Sequence, residues 1–141
     1  MLARSIFTFA ALFSLALAQG SGAFADVREY DKQSVEFSMR SNELVVLDFH
    51  VTHCPLCHSK SPYLEQVIAK DMRAGRVQAF LVDFDNDEGL KRKYNVKYRN
   101  TAIFIHRNRV VGRMAGDFSH EMLEKEFRDA LNAAFAKVDA K

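Results

Sequence analysis

Two spacings of apolar residues alternate along the chain. Leu44-Val45-Val46-Leu47-Asp48-Phe49 is an almost continuous apolar run, as expected of a strand buried on both faces, and Asp48 is its one charged residue. From Pro62 to Arg73 the apolar positions Tyr63, Leu64, Val67, Ile68 and Met72 fall at helical spacing, with Gly75 as the stop. Val77 to Phe84 reads as a second buried strand and Asp87 to Lys93 as a short polar helix. Thr101 to Ile105 and Arg109 to Met114 read as strands joined through His106-Arg107-Asn108, where Asn108 suits a left-handed turn. Ser119 is a good N-cap for a last amphipathic helix marked by Met122, Leu123, Phe127, Ala130, Leu131, Ala134 and Phe135. Asp31 to Arg40 predicts a helix ahead of the first strand. Alternating elements imply parallel pairing first, and the closing hairpin adds antiparallel pairing. The expected fold class is α/β, a central mixed β-sheet with helices on both faces.

The first residues break this pattern. Arg4 supplies a positive start, Ile6 to Ala18 form an apolar run interrupted by Thr8 and Ser14, and Ala23-Phe24-Ala25 has the A-x-A form of a signal-peptidase site. The apolar run is short for a bilayer span and a polar Gln19-Gly20-Ser21-Gly22 segment follows it. Residues 1–25 are therefore expected to be a cleaved signal peptide and 26–141 one domain, exported to the periplasm. On this expectation the chain meets the membrane only through the signal segment if that stays uncleaved. No repeat or linker follows residue 26. The net charge of +2, with acids and bases interleaved, suggests no nucleic-acid partner.

Export changes the meaning of the two cysteines. Where disulfides persist, a cysteine pair can be a structural staple. Cys54 and Cys57, however, enclose only Pro55 and Leu56, and so small a loop constrains the unfolded chain little. The spacing is that of reactive pairs.

These residues resemble the thioredoxin superfamily, and the likeness extends over roughly residues 30 to 137. The strand Val45-Val46-Leu47-Asp48-Phe49 leads through four residues into Cys54-Pro55-Leu56-Cys57. Pro62 stands where thioredoxins carry a helix-kinking proline; Val82-Asp83-Phe84-Asp85, Tyr94-Asn95-Val96 and Gly116 match later elements. The resemblance implies a thioredoxin fold and thiol–disulfide exchange with protein thiols and disulfides, through a redox-active disulfide and without a dissociable cofactor. Cys54 is then the attacking sulfur, favoured as thiolate at a helix amino end and by His53 and His58 when protonated. Cys57 resolves the mixed disulfide, and Asp48 handles its proton, since burial should raise a carboxyl pKa. Pro55, Leu56, Arg99, Asn100 and Thr101 are expected to meet substrate. The reductase direction is preferred, with a membrane electron-transfer protein as donor.

Three familiar neighbours are replaced. Asn100 stands where thioredoxins have a cis-proline, and a trans peptide is expected there. His53 takes the place of a tryptophan, and Leu81 that of a lysine beside the buried aspartate. Strand-Asp-Phe-His at Asp48-Phe49-His50 resembles an exported bacterial branch of the family.

Rival readings use the same residues. Cys54-Pro55-Leu56-Cys57-His58 is a literal C-x-x-C-H, the haem attachment motif, with Met72, Met114 or Met122 as axial ligand. A buried strand just before the motif argues against a small helical cytochrome. His50, His53, Cys54, Cys57 and His58 form a possible zinc or copper(I) ligand set, although their spacing matches redox motifs better than structural zinc sites. A binding module that has lost rapid exchange is the third reading.

Overall fold

In a computed structural model, residues 27–41, 43–51, 60–71, 73–116 and 120–140 are described. Strand β1 (Val27–Glu29) opens the fold and was not foreseen, because three half-exposed residues carry no readable period. Helix α1 (Lys32–Arg40) starts where Asp31 accepts the Ser34 N–H at 2.8 Å, a cap that also holds the Asp31 carboxyl below its ordinary pKa. Strand β2 (Leu44–His50) is buried throughout. Helix α2 (Lys60–Lys70) contains the expected Pro62 and ends three residues before the predicted Arg73. The Asp71 carboxylate takes the Arg73 backbone N–H at 2.8 Å and its guanidinium at 2.6 Å, so the side chain offers the backbone a turn in place of more helix. Gly75, the predicted stop, falls in a short 3-10 turn over Ala74–Arg76.

Strand β3 (Val77–Asp83) follows, then helix α3 (Glu88–Tyr94), capped by Asp87 on the Leu90 N–H and closed by Asn95 in the left-handed region. Strands β4 (Thr101–His106) and β5 (Arg109–Ala115) form the predicted hairpin. Its turn is two residues rather than three: Arg107 and Asn108 both take positive φ, 48° and 62°, while His106 pairs with Arg109. Paired positive φ values match the right-handed twist of the flanking strands. Helix α4 (His120–Asp139) ends the chain; its predicted cap, Ser119, lies outside the described residues, as do residues 1–25.

The strand order is β1-β3-β2-β4-β5, with β1 and β2 parallel to β3 and antiparallel pairing at β2–β4 and β4–β5. Alternation along β2 assigns its side chains to two layers. Leu44 and Val46 join Phe104 of β4, Leu64 and Ile68 of α2, and Phe127 and Leu131 of α4. Val45, Leu47 and Phe49 join Phe80, Ile103 and Ile105 with Val35 of α1 and Tyr94 of α3. Helices thus cover both faces, as expected. At Gly112 of β5 an added Cβ would stand 3.3 Å from Phe104 and 3.5 Å from Ala134, so glycine allows α4 to lie this close to the hairpin.

Candidate functional site

The carboxyl ends of β2 and β3, the start of β4 and the end of β5 all lie at one edge of the sheet. On β2 the layer facing α2 and α4 changes character toward that edge: Leu44 and Val46 are followed by Asp48 and His50. Both are buried, Asp48 at 3% and His50 at 9% exposure. Strand register sets Asp48 abreast of Leu81 on β3 and Ala102 on β4. Leu81 is thus the neighbour foreseen where a lysine is usual, and the carboxyl has an apolar side chain there. His50 stands abreast of Asp83, its carbonyl accepts the Phe84 N–H at 2.8 Å, and its Nδ1 makes no hydrogen bond among the described residues.

The loop between α3 and β4 approaches the same edge. Arg113 of β5 donates to the carbonyls of Tyr94 and Asn95 and ties the loop's start to the sheet. Further on, the Asn100 N–H donates to the Phe49 carbonyl at 3.1 Å, and the Thr101 hydroxyl donates to the Tyr98 carbonyl at 2.7 Å. Asn100 adopts φ 63°, a left-handed conformation that asparagine tolerates better than most residues, and no peptide among the described residues is cis. The expected trans bond at this position is therefore present.

The three loop residues expected to meet substrate divide. Arg99 is exposed and lines a groove of about 650 Å³ with Phe84, Lys97, Tyr98, Ala115 and Gly116. Tyr98 is 70% exposed, and Gly116 lines the groove at φ 142°, a conformation reserved for glycine. Asn100 and Thr101 are instead buried. Thr101 spends its hydroxyl on the loop itself. Asn100 lines a cavity of about 10 Å³ with Asp48, Leu64, Ala102, Met114, Leu123 and Phe127 among the described residues. Sequence reasoning assigned Asn100 to the substrate side only; its burial depends on loop geometry that residue spacing does not carry.

Cys54 and Cys57, with His53, Pro55, Leu56 and His58, lie outside the described residues. In the sequence that segment joins β2, the strand of Asp48, to α2. Of the alternative metal ligands only His50 is described, and the described residues contain no group of three His, Cys, Asp or Glu side chains able to hold a metal. None of the described helices is long and apolar enough to cross a membrane.

The chain is similar to known proteins. The Thioredoxin family model matches residues 26–129. Thioredoxin-1 of Drosophila melanogaster is 26% identical over 98 residues, covering 70% of this chain and 90% of that protein. Thioredoxin H4 of Arabidopsis thaliana is 28% identical over 85 residues, or 60% of this chain and 70% of that one. Among solved structures, Trxlp from Edwardsiella tarda superposes with a TM-score of 0.60 at 21% identity, covering 71% of this chain and 96% of that one. Fasciola hepatica thioredoxin gives 0.59 at 24% identity, with 76% and 97% covered. These two likenesses bear on fold alone. With the family match spanning most of the sequence and the five-stranded sheet in the same form, the chain belongs to the thioredoxin family, a family of thiol–disulfide oxidoreductases acting on protein disulfides.

Proposed function

We propose that this protein is an exported thiol–disulfide oxidoreductase whose Cys54–Cys57 pair reduces disulfides of partner proteins. One observation carries the reading: a buried carboxyl, Asp48, lies on the central strand six residues before Cys54, under the sheet edge where the cysteine segment begins. A carboxyl withdrawn from water at such a place is suited to moving a proton rather than to packing. The groove along Tyr98 and Arg99 supplies an open surface beside it for an extended chain. The family match begins at Asp26, the residue expected to follow signal cleavage.

The reaction proceeds in two exchanges. The Cys54 thiolate attacks one sulfur of a substrate disulfide, forming a Cys54–substrate mixed disulfide and releasing the other sulfur as a thiolate, which takes a proton from water. Asp48 then accepts the Cys57 proton, and the Cys57 thiolate attacks Cys54. The substrate's second sulfur leaves as thiolate and the Cys54–Cys57 disulfide closes, so two electrons pass from the protein to its client. A membrane-borne dithiol carrier would restore the reduced pair outside the cytoplasm.

The test is direct. Cys54→Ser is expected to abolish reduction of a disulfide-bonded protein by dithiothreitol-charged enzyme, and retained activity would refute the mechanism. The reduction potential of the pair decides direction: about −270 mV supports the reductase and about −120 mV an oxidase.

A further inference from the structure

Among the described residues, the groove at the sheet edge is lined by the cations Lys97 and Arg99, the aromatic rings of Phe84 and Tyr98, and the small residues Ala115 and Gly116, with no acidic side chain. Lys97, Tyr98 and Arg99 are all exposed, and neither cation has an ion pair or hydrogen bond among the described residues. Lys91 is the contrast. Its ammonium pairs with Glu88 at 2.5 Å and lies 4.5 Å over the Phe84 ring, so that charge is already engaged. Acidic side chains around Phe84 have local partners too: Asp83 accepts from the Asp85 N–H and from Asn86, and Asp87 accepts the Leu90 N–H. Asp85 is exposed but does not line the groove.

The net charge of +2 gives the whole molecule only a weak field, so any charge preference of the groove is local. Arg99 offers a planar fork that matches a carboxylate, and Lys97 a mobile point charge. Tyr98 offers a large apolar face between them in the sequence.

We propose that Lys97 and Arg99 make this groove selective for acidic client segments: an extended stretch carrying carboxylates beside its disulfide cysteine, with apolar side chains laid on Tyr98 and Phe84. The proposal rests on the exchange reading given above and names the class of client which that reading leaves open. A basic segment meets the same two charges as repulsion, so the groove favours one class and rejects the other. Because both cations are exposed, the attraction acts mainly on encounter and is screened by salt.

The experiment uses three synthetic peptides, each closed by one internal disulfide and identical except that glutamate, serine or lysine flanks the cysteines. Pre-reduced protein, freed of dithiothreitol, is mixed with each, and the second-order rate constant of disulfide reduction is measured. Flanking charge also alters the peptide's own thiols, and comparison of the wild type with Lys97→Glu/Arg99→Glu cancels that effect. The ratio of acidic to basic rate constants is expected to be about tenfold lower in the variant at low salt, with the serine peptide between, and the difference should shrink at about 1 M salt. Both positions are exposed, so the substitutions leave the core intact. The same ratio in wild type and variant overturns the inference while the exchange reading stands. The peptides with serine in place of cysteine, titrated against the protein while the Tyr98 amide is followed by NMR, report binding without exchange. If the wild type reduces none of the disulfides, the exchange reading fails and this titration decides the groove. Tighter binding of the acidic peptide, lost in the variant, keeps the selectivity; equal binding of acidic and basic peptides overturns it.

Discussion

Asn100 occupies a left-handed position that costs asparagine little, and the residue is buried there. Thr101 next to it shows the complementary case. Its hydroxyl binds the Tyr98 carbonyl inside the protein, so Thr101→Val leaves that carbonyl short of one donor. The substitution is expected to lower stability by about 1 kcal/mol in chemical denaturation. It should also raise the KM for a protein substrate with kcat unchanged, because Tyr98 and Arg99 lose a restraint; an unaltered KM would show that the groove does not depend on this bond. Residue type alone marked Asp48 as unusual, since a charge inside an apolar run is visible in the string. The burial of Asn100 was not visible there, because a polar loop residue reads as exposed until the backbone path is known.

Among the elements, α2 and its exit show local chemistry overriding periodicity. Apolar spacing runs to Met72, yet the helix ends at Lys70, where Asp71 engages Arg73. Arg73 in turn lies over the Phe135 ring at 4.1 Å and donates to Asn132 at 2.6 Å, linking this corner to α4. The Arg73 guanidinium hydrogen-bonded to Asp71 holds that carboxyl below its ordinary pKa. A depressed carboxyl contributes stability above the unfolded value of about 3.9 and loses it as pH falls through the lower folded value. Asp71→Asn should therefore cost about 1–2 kcal/mol at neutral pH, with the difference from wild type disappearing in acid. Urea melts at several pH values would check this, and a gap that persisted in acid would count against the ion pair. The long buried strands and the last helix were legible because each has a full period of apolar residues. Strand β1 was not, since its pairing with β3 is supplied by the sheet rather than by its own three residues.

At the scale of the whole molecule, the family match beginning at Asp26 and the A-x-A sequence before it lead to one prediction about processing. Expressed in a bacterium with a periplasm, the full chain should yield a periplasmic species whose intact mass corresponds to residues 26–141. A species retaining residues 1–25 in the membrane fraction would replace cleavage with anchoring. The cysteine pair, its spacing and the apolar strand that precedes it were determined by the sequence itself, because reactive spacing and a buried strand's composition are local properties. So were the α/β class and the helices expected on both faces. Only the tertiary structure decided which residues meet at the sheet edge. Asp48 and Asn100 are 52 positions apart, and the antiparallel pairing of β2 with β4 brings them to one cavity. Juxtapositions of that kind depend on strand register, which is not written in the spacing of apolar residues.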